Sequence, residues 1–261
     1  MLERILTDKT TEISRLQVER QTSGPWPHYD GIRPPFAQSL RRQGPGAVIA
    51  EYKPASPSRG VLNPGLTAES AADAYARGGA AAISVLTEER HFGASLENLR
   101  TMQPSGLPLL RKDFLTHPLQ IEQTAATPAS AVLLIARLFL EDPDGLARLI
   151  ELAQGFGLEP VVEIFETAEL ELARRAGASI IQVNNRDLDR LTIDLQRSRA
   201  MIAAKRPEEL WIAASGLERP EQVCEMGRLG YAGCLIGTSL MLSPDPAARL
   251  QQLTRGENGP C

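Results

Sequence analysis

The chain has 261 residues, 43% hydrophobic and 23% charged, which suffices for a sizeable core under a soluble surface and argues against intrinsic disorder. Its 28 basic and 32 acidic residues leave a net charge of −4, which excludes a general nucleic-acid binder, since such binding needs concentrated positive charge. Three cysteines are too few for a disulfide framework, and no apolar run approaches the roughly 20 residues of a membrane span.

The N-terminus, MLERILTDKTTEISRLQVER, is charged throughout, unlike a secretory signal, and the expected compartment is the cytoplasm. Leu2, Ile5, Ile13 and Leu16 recur at helical spacing, which predicts an N-terminal helix, and TSGPWPHYDGIRPP then breaks the pattern into a loop. Eight short apolar runs follow: VIAEYK from Val48, AAISVLT from Ala81, LPLLRKDF from Leu107, AVLLIARL from Ala131, EPVVEIF from Glu159, SIIQVNN from Ser179, LWIAASG from Leu210 and GCLIGTS from Gly233. Near-continuous apolarity marks parallel strands buried on both faces, and their spacing leaves room for one crossover helix each. Among the helices, TAESAADAYARGG is capped at Thr67 and stopped by Gly78 and Gly79, TAELELARRAGA starts at Thr167, PEQVCEMGRLGYAG closes near Gly230, and SLMLSPDPAARLQQL gives a final helix. Eight such units predict a TIM (β/α)8 barrel, at the roughly 250 residues usual for that fold. The expected organisation is a single domain, with an N-terminal helical extension over 1–46, the barrel over 47–254 and a frayed tail over 255–261.

In such a barrel the active site lies at the C-terminal ends of the strands. Those ends are polar here: Glu51 and Lys53, then Lys112 and Asp113, Glu163, and Asn184, Asn185 and Arg186. Glu51 and Lys53 are two apart, so they share one side of a strand. A structural ion-pair network would use one such residue, but four charged groups at successive strand ends favour catalysis. Runs seven and eight end in Ser215-Gly216 and Gly237-Thr238-Ser239, small residues that leave backbone N–H groups uncovered at the usual phosphate site of this architecture. His28, His91 and His117 lack metal-ligand spacing, no serine has a histidine partner at triad spacing, and Cys234 reads as a small buried residue.

From about Phe36 to Met241, the segments VIAEYKPASPSRG, ISVLTEERHFGAS, LPLLRKDF, LLIARL, VVEIFETAELELARRAGA, NNRDL, SGL and LIGTSLM resemble indole-3-glycerol phosphate synthases in order and spacing. The resemblance implies a TIM barrel with an extra N-terminal helix and a lyase of tryptophan biosynthesis. Its substrate would be 1-(2-carboxyphenylamino)-1-deoxyribulose 5-phosphate, with no metal and no organic cofactor. By motif position, Lys112 resembles the general acid, Glu163 the group that takes part in dehydration, Glu51 its partner that orients lysine, and Lys53 a second lysine that contacts carboxylate or phosphate. Asn184 and Ser215 match groups that hold the substrate, Arg186 an anchoring position, and Ser56, Gly216, Gly237 and Thr238 the phosphate contacts. Pro57, Phe92, Phe114, Leu133 and Ile135 are candidates for an apolar wall around the aromatic ring, or for core. The expected partner is this phosphorylated small molecule, with no nucleic acid and no membrane, on a monomer or weak homo-oligomer.

The family pattern is broken in places: SESGI is AASGL here, placing Ala214 where a glutamate is usual; GINNR is QVNNR; FFGGS-like loops read HFGAS; and GAD is TPAS. A specialised paralogue acting on a substituted anthranilate unit, another phosphate-binding barrel isomerase and a non-catalytic phosphate-ligand binder stand as alternatives.

Overall fold

Eight parallel strands close into a barrel in the computed structural model, which describes residues 1–187, 189–256 and 259–260, with the backbone alone at 255–256 and 259–260. They are β1 (Ala47–Tyr52), β2 (Ala82–Leu86), β3 (Leu109–Lys112), β4 (Ala131–Ile135), β5 (Glu159–Ile164), β6 (Ile180–Asn184), β7 (Leu210–Ala214) and β8 (Gly233–Ile236). Each predicted apolar run coincides with one of them, β1 starting one residue ahead of its run. Sequential strands are neighbours, and β1 closes the ring by pairing with β8, Ala47 beside Gly233.

Strand alternation divides the core in two. Ile49, Leu110, Leu133, Val161, Ile180, Ile212 and Leu235 pack inside the barrel. Val48, Ile83, Val132, Leu134, Val162, Ile181, Trp211 and Cys234 pack outside, beneath the helices. Burial on both faces is the physical reason for the unbroken apolarity of the runs.

The predicted N-terminal helix is α1 (Leu2–Ser23), and it buries Leu2, Ile5 and Leu16, with Ile13 only half-buried. Lys9, a charged residue, occupies the same buried stripe. The expected loop ends at Pro35, and a second helix that the sequence did not suggest follows it, α2 (Phe36–Gln43), whose Phe36 and Leu40 join the inner cluster. Its first two N–H groups, those of Phe36 and Ala37, donate to the Glu159 carboxylate at 2.5 and 3.0 Å, so the anion at its N-terminus comes from the start of β5.

In α3 (Ala68–Gly78) Thr67 is the cap, its hydroxyl accepting from the Ser70 N–H at 3.2 Å, and Gly79 ends the helix with φ 86°. A short helix α4 (Glu89–Phe92) follows β2. The helix Thr167–Arg175 starts where expected, with Glu166 at its cap position, and Glu169 reaches back to accept from the N–H groups of Phe165 and Glu166. The predicted final helix is two, Thr238–Met241 and Pro246–Thr254, interrupted at the Ser-Pro-Asp turn by the proline's missing N–H. The expected frayed tail includes residues 257, 258 and 261, which lie outside the described residues. Within the rest of it, Arg255–Gly256 pairs antiparallel with Gly259–Pro260. Among the described residues no helix is long and apolar enough to cross a membrane.

Candidate active site

Of the candidate residues named from the sequence, all but Leu133 and Asn185 line one cavity at the C-terminal mouth of the barrel. The alternation that turns Ile49 inward also turns Glu51 inward, and the same holds for Lys112 after Leu110, Glu163 after Val161 and Asn184 after Ile180. Four strands thus deliver four polar side chains to one point.

Two ammonium–carboxylate pairs form there. Lys53 Nζ lies 2.7 Å from Glu51 Oε1, and Lys112 Nζ lies 3.7 Å from Glu163 Oε2. The carboxylates are buried while the lysines remain partly open to the cavity. Burial works to raise the pKa of Glu51, but Lys53 and Lys112 outweigh it and hold the carboxyl below its ordinary range. Glu163 is held on both oxygens: Gln182 Nε2 donates to Oε2 at 2.5 Å and Asn184 Nδ2 to Oε1 at 3.0 Å. Arg186 donates its N–H to Asn184 Oδ1 at 3.0 Å, and its guanidinium, with pKa lowered by burial despite the opposing field of Glu51, donates to the Leu191 carbonyl at 3.3 Å. Of the two adjacent asparagines, Asn184 faces the cavity and Asn185 faces out, tying Ser198 to the Ser215 carbonyl.

Phe92, at the end of α4, and Phe114, just after β3, stand 6.2 Å apart with rings inclined at 35°. Ile135 and the exposed Pro57 complete this apolar side, whereas Leu133 is fully buried one layer below and belongs to the core. Ser56 sits in a short hairpin after β1, paired with Gly60. After β7, Ser215 and Gly216 both take left-handed conformations, φ 69° and 80°. For serine this conformation is strained, and such strain persists where the surroundings over-determine the backbone. Among the described residues no hydrogen bond engages the backbone N–H groups of Gly216, Gly237 or Thr238. Those groups face a rim suited to an anion.

Several residues at or beneath the site are additional to those read from the sequence. Arg59 adds a cation at the mouth, and Met1, Leu191 and Ile193 add apolar surface. Lys9 Nζ lies 2.6 Å from Asp113 Oδ1, whose other oxygen accepts from Thr87 Oγ1 at 2.7 Å and from Arg111 at 3.2 Å. Burial would raise the pKa of Asp113, but Lys9 and Arg111 hold it below the ordinary range. Asp113 also accepts from the Phe114 N–H at 2.8 Å, so the helix α1 is anchored to the turn that carries Lys112 and Phe114. A lysine inside an apolar stripe was the available signal. His91 is held by Asp8 of α1 at 2.8 Å.

The model of the family described as indole-3-glycerol phosphate synthase matches residues 2–253. The chain belongs to the indole-3-glycerol phosphate synthase family. The protein of that name from Roseiflexus sp. (strain RS-1) is 39% identical over 98% of each chain. That from Aquifex aeolicus (strain VF5) is 42% identical over 79% of this chain and 80% of its own. Among solved structures, thiamine phosphate pyrophosphorylase from Pyrococcus furiosus superposes with a TM-score of 0.59 over 81% of this chain and 95% of its own, at 16% identity, a likeness of fold.

Proposed function

We propose that the cavity closes the indole ring, converting 1-(2-carboxyphenylamino)-1-deoxyribulose 5-phosphate into indole-3-glycerol phosphate with loss of carbon dioxide and water. The observation that carries this reading is the meeting of two lysine–glutamate pairs with an aromatic wall and an anion rim in one cavity. The reaction is redox-neutral overall, so proton transfer and positioning are the tasks left to the side chains.

The phosphate rests on the uncovered N–H groups of Gly216, Gly237 and Thr238, with Ser56 and Ser215 beside them. The aryl ring lies against Phe92, Phe114, Pro57 and Ile135. Lys53 faces the ring carboxylate and Arg186 anchors the chain of hydroxyls. Lys112 protonates the ketone oxygen as the ring carbon bearing the carboxylate attacks it. Carbon dioxide then leaves and the ring regains aromaticity. Glu163, steadied by Asn184, takes the proton that must leave for dehydration, and the hydroxyl departs as water on a proton from the Lys53 ammonium, which Glu51 keeps oriented.

Purified protein mixed with this substrate should develop indole fluorescence, with inorganic phosphate acting as a competitive inhibitor. Isomerisation of phosphoribosylanthranilate in place of that signal would favour another phosphate-binding barrel enzyme, and binding without turnover a non-catalytic role. Faster turnover of ring-substituted than of plain substrate would favour the specialised paralogue, for which Ala214, small and facing the cavity, is the specific observation.

A further inference from the structure

Glu163 is gripped by two side chains of the same strand, and one of them has no place in the reading above. Gln182 lies on the inward face of β6, two residues before Asn184 and fully buried. Its Nε2 donates at 2.5 Å to Glu163 Oε2, the oxygen that also faces Lys112 Nζ at 3.7 Å. Its own Oε1 is buried without a hydrogen-bond partner. Turning the amide over would set that oxygen against a carboxylate oxygen, so Glu163 dictates which way Gln182 points. An unpaired buried acceptor is costly. What the chain gains from keeping glutamine there is the one bond to Glu163.

On the neighbouring strand β7, Gln182 pairs in register with Ile212 and Asn184 with Ala214, two apolar residues, so β6 alone offers amides to Glu163 on this side.

We infer that Gln182 is a positioning residue: its amide fixes the Glu163 carboxylate toward Lys112, so that polar support of that ion pair comes from the inward face of β6. The inference rests on the proposed reaction for its kinetic consequence, but not for its geometry. A side chain that only filled space would be replaceable by methionine, which has similar length and no donor.

The test compares Gln182→Met with wild type. Gln182→Met should lower kcat about tenfold, the size of a lost hydrogen bond to a charged group, with KM within about twofold. Infrared difference spectra against Glu163→Gln isolate the carboxylate stretch of Glu163, which should shift in Gln182→Met. An active wild type with unchanged kcat in Gln182→Met overturns the inference. An inactive wild type whose Glu163 band still shifts overturns the proposed reaction and leaves the positioning role standing; an unshifted band overturns the positioning role itself.

Discussion

Glu51 occupies the space that any side chain at Gly237 would need. A methyl group built on Gly237 would overlap Glu51 Oε1 and stand 3.1 Å from the Glu51 Cβ, although the φ of −121° is one any residue adopts. The glycine is required by proximity, because the end of β8 passes against the inward face of β1. Gly237→Ala should therefore push Glu51 away from Lys53 and disturb the neighbouring anion rim together. We expect kcat to fall by a factor on the order of 10 and KM to rise, with the melting temperature nearly unchanged; steady-state kinetics beside a thermal melt would check this. Wild-type kinetics in this variant would show that Glu51 yields without consequence.

Lys112→Ala and Glu163→Ala remove the two groups assigned to proton transfer. Each should lower turnover by a factor on the order of 100 or more, the usual contribution of a positioned acid or base. Combining them should cost less than the product of the separate effects, since the two groups stand 3.7 Å apart and serve one sequence of steps. Single-turnover measurements of indole fluorescence distinguish this from slow product release.

The buried pair Lys9–Asp113 makes acid stability a readout of the helix α1. Asp113 is held below the usual aspartate range when folded, so the unfolded chain takes up that proton more readily. The stabilisation is complete above about pH 4 and is lost as pH falls toward the depressed folded value. Lys9→Met leaves the carboxylate buried with Arg111 as its remaining cation and should cost about 3 kcal/mol. Because the folded pKa then rises toward the unfolded one, the variant should also lose less stability between pH 4 and lower pH than wild type does. Denaturant titrations at several pH values measure both effects, and parallel curves would refute the role of Lys9.

The barrel could be read from the sequence because its strand–helix unit is repeated eightfold, and the polar strand ends because short-range alternation sets their facing. Every strand carries its own signature of burial on two faces, and the inward parity that places Glu51, Lys112, Glu163 and Asn184 follows from counting by twos. The contacts that escaped reading are made across the chain. Helix α2 has only eight residues after two prolines, and it is secured by Glu159 and by packing of Phe36 and Leu40 in the barrel. Lys9 reads as a solvated charge until Asp113 is known to face it. Gln182 is placed inward by alternation, yet its partner on β5 is a tertiary fact. The helix after β5 starts at Thr167 as expected, but the reach of Glu169 back to the N–H of Phe165 is a contact that spacing alone did not give.

The pairing of β1 with β8 has a consequence for biosynthesis. Ala47 finds its partner at Gly233, and α2 its counter-charge at Glu159, so these segments depend on ones made more than a hundred residues later. Until residue 236 emerges, β1 presents a bare hydrogen-bonding edge and the ring stays open. Ribosome-bound chains halted before residue 233 should therefore remain open to protease within β1, and those released beyond it should become resistant in a single step.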